Sequence, residues 1–132
     1  MESISLFDIA PQNQDLEIVD VRGKPIGLNI ELRPMSSKEI QKVERDHTAA
    51  MYAAVRKNRD ISSLTDKHRE ELICAAVVSF KWSDKPMVNG KTLEPFEPTK
   101  ENLQKLSRTR ELDWFSSQIN EAMGDEARFH ES

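Results

Sequence analysis

Ile26-Gly27-Leu28-Asn29-Ile30-Glu31-Leu32-Arg33 is the stretch on which the fold turns. Apolar residues at 26, 28, 30 and 32 alternate with Gly27, Asn29, Glu31 and Arg33. A period of two marks a strand with one dry face and one wet face. Upstream, Leu16, Ile18, Val19 and Val21 form a second short apolar run. Between the two stands Arg22-Gly23-Lys24-Pro25, where Gly23 tolerates positive φ and Pro25 fixes φ, so the link is a turn. The pattern predicts a β-hairpin over about 16–33, stopped by Pro34, which has no N–H for a ladder. A lone hairpin is marginal and has open edges. It needs a helix layer on one face or a neighbouring subunit's strands, which makes Leu28 and Ile30 candidate self-association residues.

Beyond Pro34 the period lengthens. Ser36 and Glu39 have the capping-box spacing. Ile40, Val43, His47, Ala50, Met51, Ala54 and Val55 then share one helical face, predicting a helix over about 37–58. Thr65 is a plausible N-cap for a second helix over about 66–82. That helix opens polar, becomes apolar on all sides from Leu72 to Phe80, and closes at Trp82. Residues 83–98 are a loop in which Asn89-Gly90 suits a tight turn between two very short strands. Helices are expected over about 99–106, with Thr99 as N-cap, and over about 109–123, with Gly124 as the residue after the helix. The fold class is α+β, predominantly helical. The expected organisation is a flexible arm (1–15), one domain (16–124) and a short polar tail containing Phe129 (125–132).

The chain has 132 residues and a formal charge of -4. That length fits one domain, and the acidic balance excludes a general polyanion binder, so no nucleic-acid partner is expected. One cysteine cannot form an internal disulfide and suits a reducing compartment. Met1 to Ala10 carries no basic, apolar leader pattern. The longest apolar run, Leu72 to Val78, is seven residues, against about 20 for a membrane span. The expectation is a soluble cytoplasmic protein without a membrane partner.

Motifs for chemistry are sparse. Glu44-x-x-His47 has the spacing of half a di-iron site, but neither His68 nor His130 has a Glu three residues before it. The reading preferred for His47 is a packed histidine with a hydrogen-bond partner, or one at a helix contact. His68 and Glu71, on a polar first turn, are expected to be solvated. Cys74 lies in the apolar run, where burial raises a thiol pKa. The basic clusters Arg56-Lys57-Asn58-Arg59 and Lys105 to Arg110 sit mostly at helix ends and suit the dipole. No catalytic, cofactor or metal residues are assigned. Trp82, Phe96, Trp114, Phe115 and Phe129 are a large apolar complement for a small domain. Most belong in the core, yet Trp114 and Phe115 are about 100° apart on a helix, so one of them is left for an interface. Trp82, Phe96, Trp114 and Phe129 are therefore candidate partner or self-association residues.

The order of elements resembles the tail assembly chaperones of long, non-contractile-tailed phages. The resemblance runs from Val19-Asp20-Val21-Arg22-Gly23-Lys24-Pro25-Ile26-Gly27 through Met35-Ser36-Ser37-Lys38-Glu39 and Ala75-Ala76-Val77-Val78-Ser79-Phe80-Lys81-Trp82. It continues with Glu97-Pro98-Thr99-Lys100-Glu101-Asn102-Leu103, the helix around Gln118-Ile119 and the tail with Phe129. It covers about residues 16–130 and implies a non-enzymatic protein of the host cytoplasm. Such a protein binds the tape measure protein and the major tail tube protein, promotes tube polymerisation, self-associates and is absent from the finished virion. The family's frequent longer, frameshifted form needs a slippery codon pair, and no residue pair after Arg110 allows the usual heptamer. The alternatives are a structural tail or head-completion subunit retained in the virion and, further off, a small metal enzyme using Glu44 and His47.

Overall fold

The computed structural model describes residues 3–6, 9–125 and 129. Strands β1 (Gln14–Val19) and β2 (Pro25–Leu32) form the antiparallel hairpin, with Leu16 opposite Ile30 and Val19 opposite Pro25. Asp20 builds its turn. One carboxylate oxygen accepts from the N–H of Lys24 (3.0 Å) and of Arg22 (2.8 Å), while Gly23 takes φ +82°. These bonds favour the ionised form and hold Asp20 below its ordinary value of 3.8, the Lys24 N–H contributing most.

Residues Val77–Trp82 form a third strand, β3, rather than the second half of a helix. The preceding helix ends at Ala76, so the expected continuous helix over 66–82 is corrected. Valine, phenylalanine and tryptophan lose side-chain freedom in a helix and fit a pleated surface. The free side of β2 supplies the ladder, with Trp82 opposite Leu28, Phe80 opposite Ile30 and Ser79 opposite Glu31. The sheet order is β1-β2-β3. Phe80 and Trp82 therefore join the dry face and Lys81 the wet one. There the Lys81 ammonium lies 2.9 Å from the Asp15 carboxylate, across the middle strand.

Among the described residues four α-helices complete the fold. Helix α1 (Lys38–Arg56) is capped by Ser37, one residue later than expected; its hydroxyl accepts from the Ile40 N–H at 3.4 Å. It ends in a Schellman arrangement: Asn58 takes φ +53°, its N–H reaches Val55, and the Arg59 N–H reaches Ala54. Helix α2 (Ser62–Ala76) starts before Thr65 because Asp60 accepts from both the N–H and the hydroxyl of Ser62 (3.0 Å each). Helix α3 (Lys100–Arg108) has Thr99 as its N-cap, accepting from Asn102 at 3.1 Å. A short 3-10 turn leads into α4 (Asp113–Gly124). Gly124 is the last helical residue and has no left-handed φ, so it is not the expected residue beyond the helix. Between β3 and α3, β4 (Met87–Val88) and β5 (Lys91–Thr92) pair around Asn89 and Gly90, both at positive φ as a two-residue hairpin requires.

The core lies between the dry face of the three-stranded sheet and helices α2, α3 and α4. Ile18, Ile26, Leu28, Ile30 and Leu32 meet Ile73, Leu103, Phe115, Ile119 and Met123. Phe129, the aromatic of the expected polar tail, is buried with them. Its carbonyl accepts from the Gln12 N–H at 2.8 Å, tying the two ends together. Among the described residues no helix is long and apolar enough to cross a membrane.

Candidate interaction surfaces

Helix α1 reaches the core near its start through Ile40 and then packs chiefly along α2. The seam holds Val43, His47, Ala50 and Met51, half-buried, and Ala54, buried. The imidazoles of His47 and His68 stack with centroids 4.0 Å apart and planes 17° from parallel. A Glu44 carboxylate oxygen lies 2.7 Å from Nε2 of His68. Glu44 and His47 are thus held in a helix–helix contact. Among the described residues no group of three or more His, Cys, Asp or Glu side chains could hold a metal ion. The expectation that His68 is solvated beside Glu71 is corrected. His68 is half-buried against α1, while Glu71 faces Lys67 at 3.7 Å.

Past the histidines the helical hairpin ends in uncovered apolar side chains. Tyr52 is 68% exposed, Val55 63% and Ile61 40%. Val55 belongs to the expected apolar stripe, but it lies at the stripe's edge: Ala54 in the same turn is buried, and Val55, about 100° further round the helix, stays exposed. Tyr52 falls outside the stripe altogether. Its signal in the sequence was an aromatic ring on the flank of an amphipathic helix. Arg56, Lys57 and Arg59, on the same last turn and the loop after it, are exposed as well. Exposed apolar side chains beside charged ones are features of a protein-binding surface.

The aromatic candidates divide by burial. Trp82 and Phe96 are half-buried and form a cluster with Phe80, at centroid distances of 5.4 to 6.1 Å. The Trp82 indole N–H donates to the Phe96 carbonyl at 3.0 Å, fixing the loop that carries Phe96. A cleft of about 410 Å³ opens beside it, lined by Pro95, Phe96, Lys105, Leu106 and Leu112 among others. Helical geometry separates Trp114 from Phe115 as expected: Phe115 is buried and Trp114 stays half-exposed. Leu28, Ile30 and Phe129 are core residues, at 1%, 0% and 1% exposure, and have no surface to offer a partner. β3 occupies the edge of the hairpin and the helices cover its dry face, so Leu28 and Ile30 are satisfied within the chain.

A larger cleft of about 740 Å³ between α1, α2 and α3 is lined mostly by charged side chains. At its rim Arg108 makes a two-pronged contact with Glu70, at 2.8 and 2.9 Å. Cys74 lies in the same cleft, and burial pushes its thiol above the ordinary value, the opposite of what a nucleophile needs.

No protein-family model, no curated protein and no solved structure matches this chain.

Proposed function

We propose that this protein is a phage tail assembly chaperone. In this reading it binds the tape measure protein, the major tail tube protein or both, promotes tube polymerisation in the host cytoplasm, and leaves before the virion is complete. The resemblance in the order of elements motivates it. The observation that carries it is the set of exposed apolar side chains toward the turn of the α1–α2 hairpin, Tyr52, Val55 and Ile61, in a segment that also carries exposed Arg56, Lys57 and Arg59. Exposed apolar residues on a helical hairpin suit a helical client that lays an apolar stripe against them. The basic residues steer acidic clients and set the rate of encounter more than the affinity.

The test is co-expression of the chain with the tape measure and tube proteins of its own genome, followed by counting tubes by electron microscopy. Tubes of uniform length are expected only when the chain is present. Mass spectrometry of purified virions should find none of it, and stoichiometric retention would instead identify a structural subunit.

A further inference from the structure

The two edges of the sheet are treated differently. At the β1 edge, the Gln118 side chain of α4 closes one residue completely. Its Oε1 accepts from the Val19 N–H at 3.0 Å, and its Nε2 donates to the Val19 carbonyl at 2.8 Å. An amide side chain there takes the place of a neighbouring strand. A register shift between Glu17 and Val19 bends the same edge, and Asp15 and Glu17 charge it. These are the devices by which proteins prevent edge-to-edge pairing.

The β3 edge has one of them, and only at its start: the register shifts between the Glu31–Ser79 and Leu32–Val77 pairs, with Val78 as the extra residue. The Ser83 N–H donates to the Gly27 carbonyl at 2.8 Å, so the alternation of an antiparallel ladder turns Lys81 and Ser79 toward β2. The main-chain groups of Phe80 and Trp82 then point outward, and no described residue hydrogen-bonds them. The segment Ser79–Trp82 has no proline and no register shift, and its one charge is Lys81. Its flanking aromatics Phe80, Trp82 and Phe96 are only half-buried.

We propose that β3 is a self-pairing edge, and that two copies of this chain join antiparallel through it into a continuous six-stranded sheet. The strand is self-complementary about a two-fold axis at Phe80. Phe80 faces Phe80 of the second copy and Lys81 faces Ser79, so no like charges are opposed, while Trp82 reaches the level of the extra residue Val78. The exposed flanks of Phe80 and Trp82 become covered on the dry side. A two-fold contact also consumes both open edges and closes. A head-to-tail β3-to-β1 contact would propagate, and Gln118 blocks it. The inference rests on the main-chain pairing alone and not on the identity of any client.

The test combines amide exchange with sedimentation on the full chain. The Phe80 and Trp82 amides are expected to exchange slowly at high concentration and to lose protection on dilution, in step with dissociation of a dimer. The Ser79 and Lys81 amides stay protected throughout. Ser79→Lys opposes Lys81 of the other copy twice per dimer and is expected to weaken association about tenfold. It leaves the monomer intact, because position 79 lies opposite Glu31. A chain that is monomeric at all concentrations, unprotected Phe80 and Trp82 amides, or a dimer indifferent to Ser79→Lys would each overturn the proposal.

Discussion

Replacing Gly27 with alanine tests the packing that joins β2 to the chain leaving β3. Gly27 lies within β2 at φ +86°, and a Cβ built on it would press against the Ser83 hydroxyl and come within 2.9 Å of the Pro86 Cα. Two costs add. A left-handed backbone with a Cβ costs about 1–2 kcal/mol. Overpacking against a main-chain atom that cannot rotate away costs about 1–3 kcal/mol more. The sum, roughly 2–5 kcal/mol, corresponds to a fall of about 1–2.5 M in the urea midpoint for a slope near 2 kcal/mol/M. Gly124→Ala is the internal control. No atom lies within 4 Å of its Cβ position and its φ is not left-handed, so alanine should stabilise by about 0.4–1 kcal/mol. Equilibrium urea unfolding followed by tryptophan fluorescence reads both. A Gly27→Ala variant as stable as the parent would refute the close approach of β2 and Pro86.

Three further outcomes are expected. Phe129→Ala should cost about 3–5 kcal/mol in urea unfolding, because Phe129 is 1% exposed; a cost below about 1 kcal/mol would mean that the chain end is not docked. The Asp20 carboxyl, held down first by the Lys24 N–H, should titrate below 3.8 in carboxyl NMR. Its folded value is depressed, so its contribution to stability is present above the unfolded value and is lost as pH falls through the folded one. Asp20→Asn should therefore flatten the acid limb of the stability curve. Cys74 should react with iodoacetamide more slowly than a free thiol at the same pH, since burial raises its pKa and suppresses the thiolate; equal rates would contradict that burial.

The elements that could be read in the sequence were those with an unbroken period and a terminal signal. The alternation from Ile26 to Leu32, the cap at Thr99 and the Asn89-Gly90 turn all stand where the pattern puts them. β3 was hidden because helix and strand abut without punctuation. Ala75-Ala76-Val77-Val78 holds no Gly, Pro or Asn, so the apolar run reads as one element. The trace of the strand was the alternation of Phe80 and Trp82 around Lys81, too short to outweigh the helical residues before it. Missing β3 also misplaced Leu28 and Ile30, whose need for a partner is met inside the chain. The apolar patch escaped for a different reason. Periodicity identifies which side of α1 is apolar, but Tyr52 lies off that side and Val55 at its edge, so neither is covered although Ala54 between them is buried.

The central claim is that the free end of the α1–α2 hairpin holds a tail protein. Its most direct measurement is the affinity of the purified chain for the purified tape measure protein and for the tube protein. The chain should be compared with a Tyr52→Ser, Val55→Ser, Ile61→Ser variant whose circular dichroism and unfolding match the parent. The account predicts saturable binding to at least one of the two, lost or weakened at least tenfold in the variant. Binding to neither, or binding that the variant leaves unchanged, would contradict it.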